Sequence, residues 1–173
     1  MRPLWEVSDF VRSMRRKLRF GALSRAPLKM QRIEWRSDAL ECDWTARPAD
    51  VWDSWVPAAV ARQNESLQTL ADAISVRNIV FDTFRDIESA VLRVFRQPAR
   101  EPAELVILGA VSREAPAVHR VSSLAMRAKL YGFCFCIEDG YLRPLQHLEE
   151  PSFEFIAQST TPSGQGGIGN GGK

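Results

Sequence analysis

Between Leu40 and Thr45 the side chains alternate without a break: Leu40, Cys42 and Trp44 are apolar, while Glu41, Asp43 and Thr45 are polar. A strand with that period turns one face to a core and the other to solvent. A sheet made of such strands needs a cover on one side only, which directs the chain toward a two-layer arrangement. The run Lys29–Trp35 and the turn Arg36-Ser37-Asp38-Ala39 place a partner strand just before it, and Pro48 closes the hairpin. That first strand alternates poorly, so the pattern does not set its register. Trp35 and Trp44 are expected to pack across the hairpin.

Helical spacing takes over from about Ser54 to Phe84, with Asp53 or Ser54 as the cap and Pro57 in the first turn. Val60, Leu67, Leu70, Ala71, Ile74, Phe81 and Phe84 form the expected apolar face, and Val76, Ile79 and Val80 widen it near the end. Ala90–Arg96 and Leu105–Val111 read as a second strand pair. Its run Leu105-Val106-Ile107-Leu108 is wholly apolar, as in a strand buried on both faces. A second helix is expected from about Pro116 to Tyr131, with Gly132 as its stop. Phe133–Glu138, the turn Asp139-Gly140 and Tyr141–Leu145 form a last hairpin.

The order ββαββαβ, with a short return strand, predicts an α+β two-layer sandwich: a mainly antiparallel sheet with two helices on one face. From Leu40 to Glu138 the order βαββαβ is that of a ferredoxin-like sandwich. In that topology the Leu40–Ala46 strand is paired on both sides already, which leaves no edge for Lys29–Trp35. The chain divides into a basic helical arm and linker (1–27), the α+β domain (28–148), and an acidic-aromatic segment with a Gly/Ser tail (149–173). Within the last, Glu149-Glu150-Pro151-Ser152-Phe153-Glu154-Phe155-Ile156 can dock on the domain or on a partner, and residues 157–173 have too little to bury to fold.

Charge is split along the chain. The first 36 residues carry ten Lys/Arg against three Asp/Glu, and the other 137 carry thirteen against eighteen. Residues 6–20 read as a helix with Phe10, Val11, Met14 and Leu18 on one side. Arg12, Arg15, Arg16 and Arg19 fall on the other, with Lys17 at the flank. A basic segment of this kind suits an acidic partner, whether nucleic acid or an acidic protein surface. Insertion of Phe10, Met14 and Leu18 beneath lipid headgroups is a weaker reading, because the apolar stripe is short. All five tryptophans lie within the first 55 residues, and Trp52 and Trp55 stand one helical turn apart, a candidate contact surface beside the arm.

No catalytic constellation emerges. Gly132-Phe133-Cys134-Phe135-Cys136 invites comparison with the aromatic RNP1 motif of RNA-recognition domains, but here it follows the second helix, where that motif precedes it. Phe133, Phe135 and Ile137 are instead expected to face the helices. Cys134 and Cys136 stand on one side of a strand with no spaced second pair, so structural thiols are expected rather than a metal site. His119 falls on the polar side of its helix. Nothing nominates a nucleophile, a base or a cofactor, and the chain leans away from catalysis.

The start lacks the apolar run of a secretory signal, and no stretch of 18 apolar residues predicts a membrane span, so the cytoplasm is expected. The function expected is non-catalytic binding or adaptor work, with Arg12, Arg15, Arg16, Lys17, Arg19, Trp52 and Trp55 in contact with the partner. The alternative is a self-associating regulatory domain that uses the arm and the Trp-rich corner as its protein interface.

Overall fold

A computed structural model describes residues 4–20, 28–36, 38–48, 51–98, 101–114 and 118–145. Its elements are α1 (Leu4–Phe20), β1 (Lys29–Arg36), β2 (Ala39–Thr45), α2 (Ala58–Thr83), β3 (Ser89–Arg96), β4 (Glu104–Ser112), α3 (Leu124–Leu130), β5 (Phe133–Cys134), β6 (Cys136–Glu138) and β7 (Tyr141–Arg143). Short 3-10 turns precede α2 at Val51–Trp55 and α3 at Val118–Arg120. The protein is an α+β sandwich of helices on one face of a mostly antiparallel sheet.

The sheet order is sequential, β1-β2-β3-β4-β5. The ferredoxin-like order is therefore not the one observed. β2 lies between β1 and β3, with a parallel partner on the second side. Lys29–Arg36 thereby gains the edge position that the ferredoxin-like order denied it. Its poor alternation has a physical cause: the register shifts between Met30 and Arg32, which leaves Gln31 as an extra residue. Trp35 sits opposite Leu40 and Trp44 opposite Met30, so the two tryptophans are not cross-strand partners. Trp35 instead meets the Phe84 ring edge-on at 5.8 Å.

The helix-facing residues keep strict parity. Leu40, Cys42 and Trp44, then Ala90, Leu92 and Val94, then Ile107 and Val111 enter one core with Leu70, Ala73, Val76 and Val80 of α2. Phe133 joins them by lying over Gly109, where an added Cβ would stand 2.5 Å from its ring. Phe135 packs partly on the core, whereas Ile137 is 36% exposed and does not face the helices as expected.

Local chemistry sets the helix ends. Pro57 stands at the N-cap of α2, so the expected start near Ser54 is a separate 3-10 turn. At the other end Arg113 donates to the carbonyls of Phe81 and Phe84, which the helix leaves open, and to that of Ile87 in the loop beyond. Ser123 accepts from Met126 N–H and starts α3 later than Pro116, which lies outside the described residues. Asp139 and Gly140 both take positive φ, 52° and 77°, as a two-residue hairpin turn demands.

α1 belongs to this core. Phe10 is 0% exposed and Met14 3%, and the Phe10 ring lies 5.2 Å from that of Phe84. Burying such a side chain contributes about 1.5–3 kcal/mol, and the cavity left by truncation adds to the loss. Phe10→Ala is expected to lower stability by about 3–5 kcal/mol in urea titration, a loss that a free-standing arm would not cause.

Candidate functional site

Docking through Phe10 and Met14 fixes which side of α1 faces outward. Arg12 lies on that outer side with its side chain 71% exposed, held by Asp9 at 3.0 Å. Arg15, Arg16, Lys17 and Arg19 lie within the helix, and their side chains fall outside the described residues. Phe10 and Met14 are occupied by the core, so the lipid-inserting use of that stripe is excluded while α1 stays docked.

Trp55 is 84% exposed and Trp5 64%; the Trp52 side chain falls outside the described residues. Trp55 precedes the start of α2, whereas Phe10 docks at its end on Phe84. A 26-residue helix is about 39 Å long, so Trp55 and the docking point of α1 stand at opposite ends of it. Val60 and Leu67, expected to be buried, are 41% and 43% exposed. With Val56 at 37% they extend an apolar ridge away from Trp55 along the first half of α2.

Three polar clusters were not legible in the sequence. The first lies on the sheet face turned away from the helices, where Arg93 Nη1 meets Glu41 at 2.9 Å and Asp43 at 3.1 Å. Arg32 reaches Glu34, Glu41 and Asp43 from β1. Glu41 and Asp43, which alternation assigned to solvent, are only 5% and 7% exposed. Burial alone would lower the Arg93 pKa, but hydrogen bonds to Glu41 and Asp43 outweigh it and raise it.

The second cluster is a crevice lined by Ala46, Glu65, Ser66, Thr69, Arg96, Val106 and Leu142, with about 10 Å³ of free space. That volume suits one water molecule and no substrate. Its polar groups already serve the fold. Ser66 Oγ donates to Arg62 O and accepts from Leu142 N–H, and Arg96 forks onto Glu104 while donating to Leu142 O. The Arg96 guanidinium also lies 4.5 Å from the centre of the Tyr141 ring. Burial raises the pKa of Glu65, Arg96 pulls it back, and Asp53 adds to the rise.

The third is the buried pair of Arg47 and Asp72, 2.8 Å apart, with Gln68 also donating to Asp72. Here desolvation wins: the Asp72 carboxyl is pushed up to about 6 despite Arg47 and Gln68. Burial also drives the Cys42 thiol well above its ordinary value, so Cys42 is an inert core residue. Cys134 and Cys136 are free and exposed. Among the described residues no three His, Cys, Asp or Glu side chains converge as metal ligands, and no helix is long and apolar enough to cross a membrane. The His119 side chain and residue 147 fall outside the described residues.

No protein-family model, curated protein or solved structure matches the chain.

The Arg47–Asp72 pair makes a pH prediction. Its carboxyl titrates at about 6 when folded and near the ordinary 3.8 when unfolded, so the folded state binds the proton first. This site therefore adds stability as pH falls from about 6 to about 4, a gain absent from Asp72→Asn. The stability difference, wild type minus Asp72→Asn, is expected to be larger at pH 4.5 than at pH 7 in urea titrations. A difference independent of pH would show that Asp72 titrates normally.

Proposed function

We propose that the chain is a non-catalytic binding or adaptor module of the cytoplasm whose N-terminal helix engages an acidic partner, with nucleic acid the first to test. The orientation of α1 supports this reading. Its apolar stripe is consumed by Phe10 and Met14 in the core, and Arg12 points outward. Helical spacing places Arg16 and Arg19 on the same side as Arg12, with Arg15 adjoining and Lys17 at the flank. Several guanidinium groups along one rigid edge suit a chain of phosphates better than a lone small ligand.

Deleting the helix would remove Phe10 and Met14 from the core, so charge substitution is the cleaner test. Arg12, Arg15, Arg16 and Arg19 changed together to Gln are expected to leave folding intact. They should also weaken binding of labelled RNA and DNA oligonucleotides, read by anisotropy at about 50 and 200 mM salt. Every phosphate that is no longer neutralised lowers the slope of log affinity against log salt by about 0.9 on duplex DNA and about 0.7 on single strands. Unchanged binding and salt slope, or no binding by the wild type at low salt, would discard the phosphate-binding role.

The exposure of Trp5 and Trp55 favours a second reading, self-association through a protein interface. Solution mass measured across protein concentration is its test. A dimer that Trp55→Ser dissociates, while the unfolding free energy stays within about 0.5 kcal/mol of the wild type, supports it. A monomer at every concentration removes it.

A further inference from the structure

The helix-free face of the sheet carries Arg32 and Glu34 of β1, Glu41 and Asp43 of β2, Val91 and Arg93 of β3, Leu108 and Ala110 of β4, and Cys134 of β5. The buried hydrophobic residues of α1, α2 and α3 all join the core on the other face. Yet Val91 is 0% exposed, Leu108 and Arg93 4% each, and Glu41 5%. A sheet face left to solvent keeps its central side chains wet, and charged groups leave water only for partners. Arg93 and Glu34 each make an interaction beyond the ion pairs described above. The middle of this face, from Glu41 and Asp43 to Leu108, therefore behaves as a covered one, while Ala110 and Cys134 beside it are exposed, and none of the described helices supplies the cover.

The described chain ends at the right place to supply it. Leu145 N–H donates to Leu105 O at 2.8 Å, which holds the exit at the start of β4. Beyond it lie 28 residues, and the run richest in groups to bury is Phe153-Glu154-Phe155-Ile156, preceded by Glu149 and Glu150. Eight residues of extended chain span about 26 Å, while five strands about 4.8 Å apart measure about 19 Å across. Leu145 to Phe153 thus reaches any strand of this sheet. In an extended segment Phe153 and Phe155 share one side, matched to the apolar half formed by Val91 and Leu108.

We propose that residues 149–156, which lie outside the described residues, cover this face, so that the sheet is a peptide-accepting surface occupied by its own chain. The phenylalanines lie over Val91 and Leu108, and a glutamate of the segment meets Arg93. The proposal is independent of the role given to α1.

The test uses the full-length protein with Phe153 replaced by the photo-crosslinker p-benzoylphenylalanine. The expected product is a cross-link within one chain to the peptides that carry Val91 or Leu108, with a yield independent of protein concentration. Cross-links to α1, or only between chains, would overturn the proposal. A second arm ends the chain after Leu148 and adds a labelled peptide of residues 149–157. Binding to the shortened chain at least tenfold tighter than to the full-length protein supports the proposal, and equal binding to both counts against it. Should the shortened chain fail to fold, the cross-linking arm decides alone.

Discussion

Two hairpins can be joined into one sheet by antiparallel or by parallel contact, and here the contact is parallel. Ala39 lies opposite Ser89, and the pairing holds through Thr45 opposite Phe95. Parallel neighbours need a long crossover, and α2 supplies it. Because α2 must return the chain from the end of β2 to the start of β3, it crosses the sheet on one face and fixes which face becomes the core. α1 then meets α2 at Phe84, where the rings of Phe10 and Trp35 converge from a helix and an edge strand. Without the parallel join there would be no reason for α2, and without α2 no place for α1.

Local features were legible for local reasons. The β2 strand and the Asp139-Gly140 turn are set by neighbouring residues, and both appear where the sequence placed them, although β2 is buried on both faces and not on one. Strand order is a property of partners some fifty residues apart, such as Cys42 and Leu92, and the element order ββαββαβ is compatible with more than one way of arranging them. The β1 pattern failed because a bulge at Gln31 breaks the period of two. Spacing alone extended the apolar face of α2 to Val60 and Leu67, but the side that the first half of that helix turns inward carries Ser66, Thr69 and Leu70. Periodicity reports what a residue can bury and does not report whether a neighbour arrives.

The charged half of the sheet was harder to foresee, and it has a physical logic. Glu41 and Asp43 look like solvent-facing residues from β2 alone. They can leave water because Arg93, in the middle of a wholly different strand, stands level with Asp43 and is close enough to serve both carboxylates. A buried ion network of this sort adds little net stability, since desolvation offsets most of its attraction. What it does add is intolerance of error: a register slip of one residue would put Arg93 among the core apolar side chains and leave Glu41 and Asp43 with Arg32 alone. The network thus guards the parallel register on which the fold rests.

The basic edge differs in kind from the body that carries it. Within the domain each of Arg47, Arg93 and Arg113 is matched to carboxylates or to the open carbonyls of a helix end. Those arginines are part of the architecture, and their cost of burial is met by specific partners. Arg12 has a different status, since among the described residues it reaches only Asp9 and Ser8 of its own helix, at an exposed position where such pairs contribute less than about 1 kcal/mol. Fold stability therefore gives little reason for arginine at that position. Among the described residues the helix docks through Phe10, Met14 and Val11, and none of these contacts requires a positive charge at Arg12.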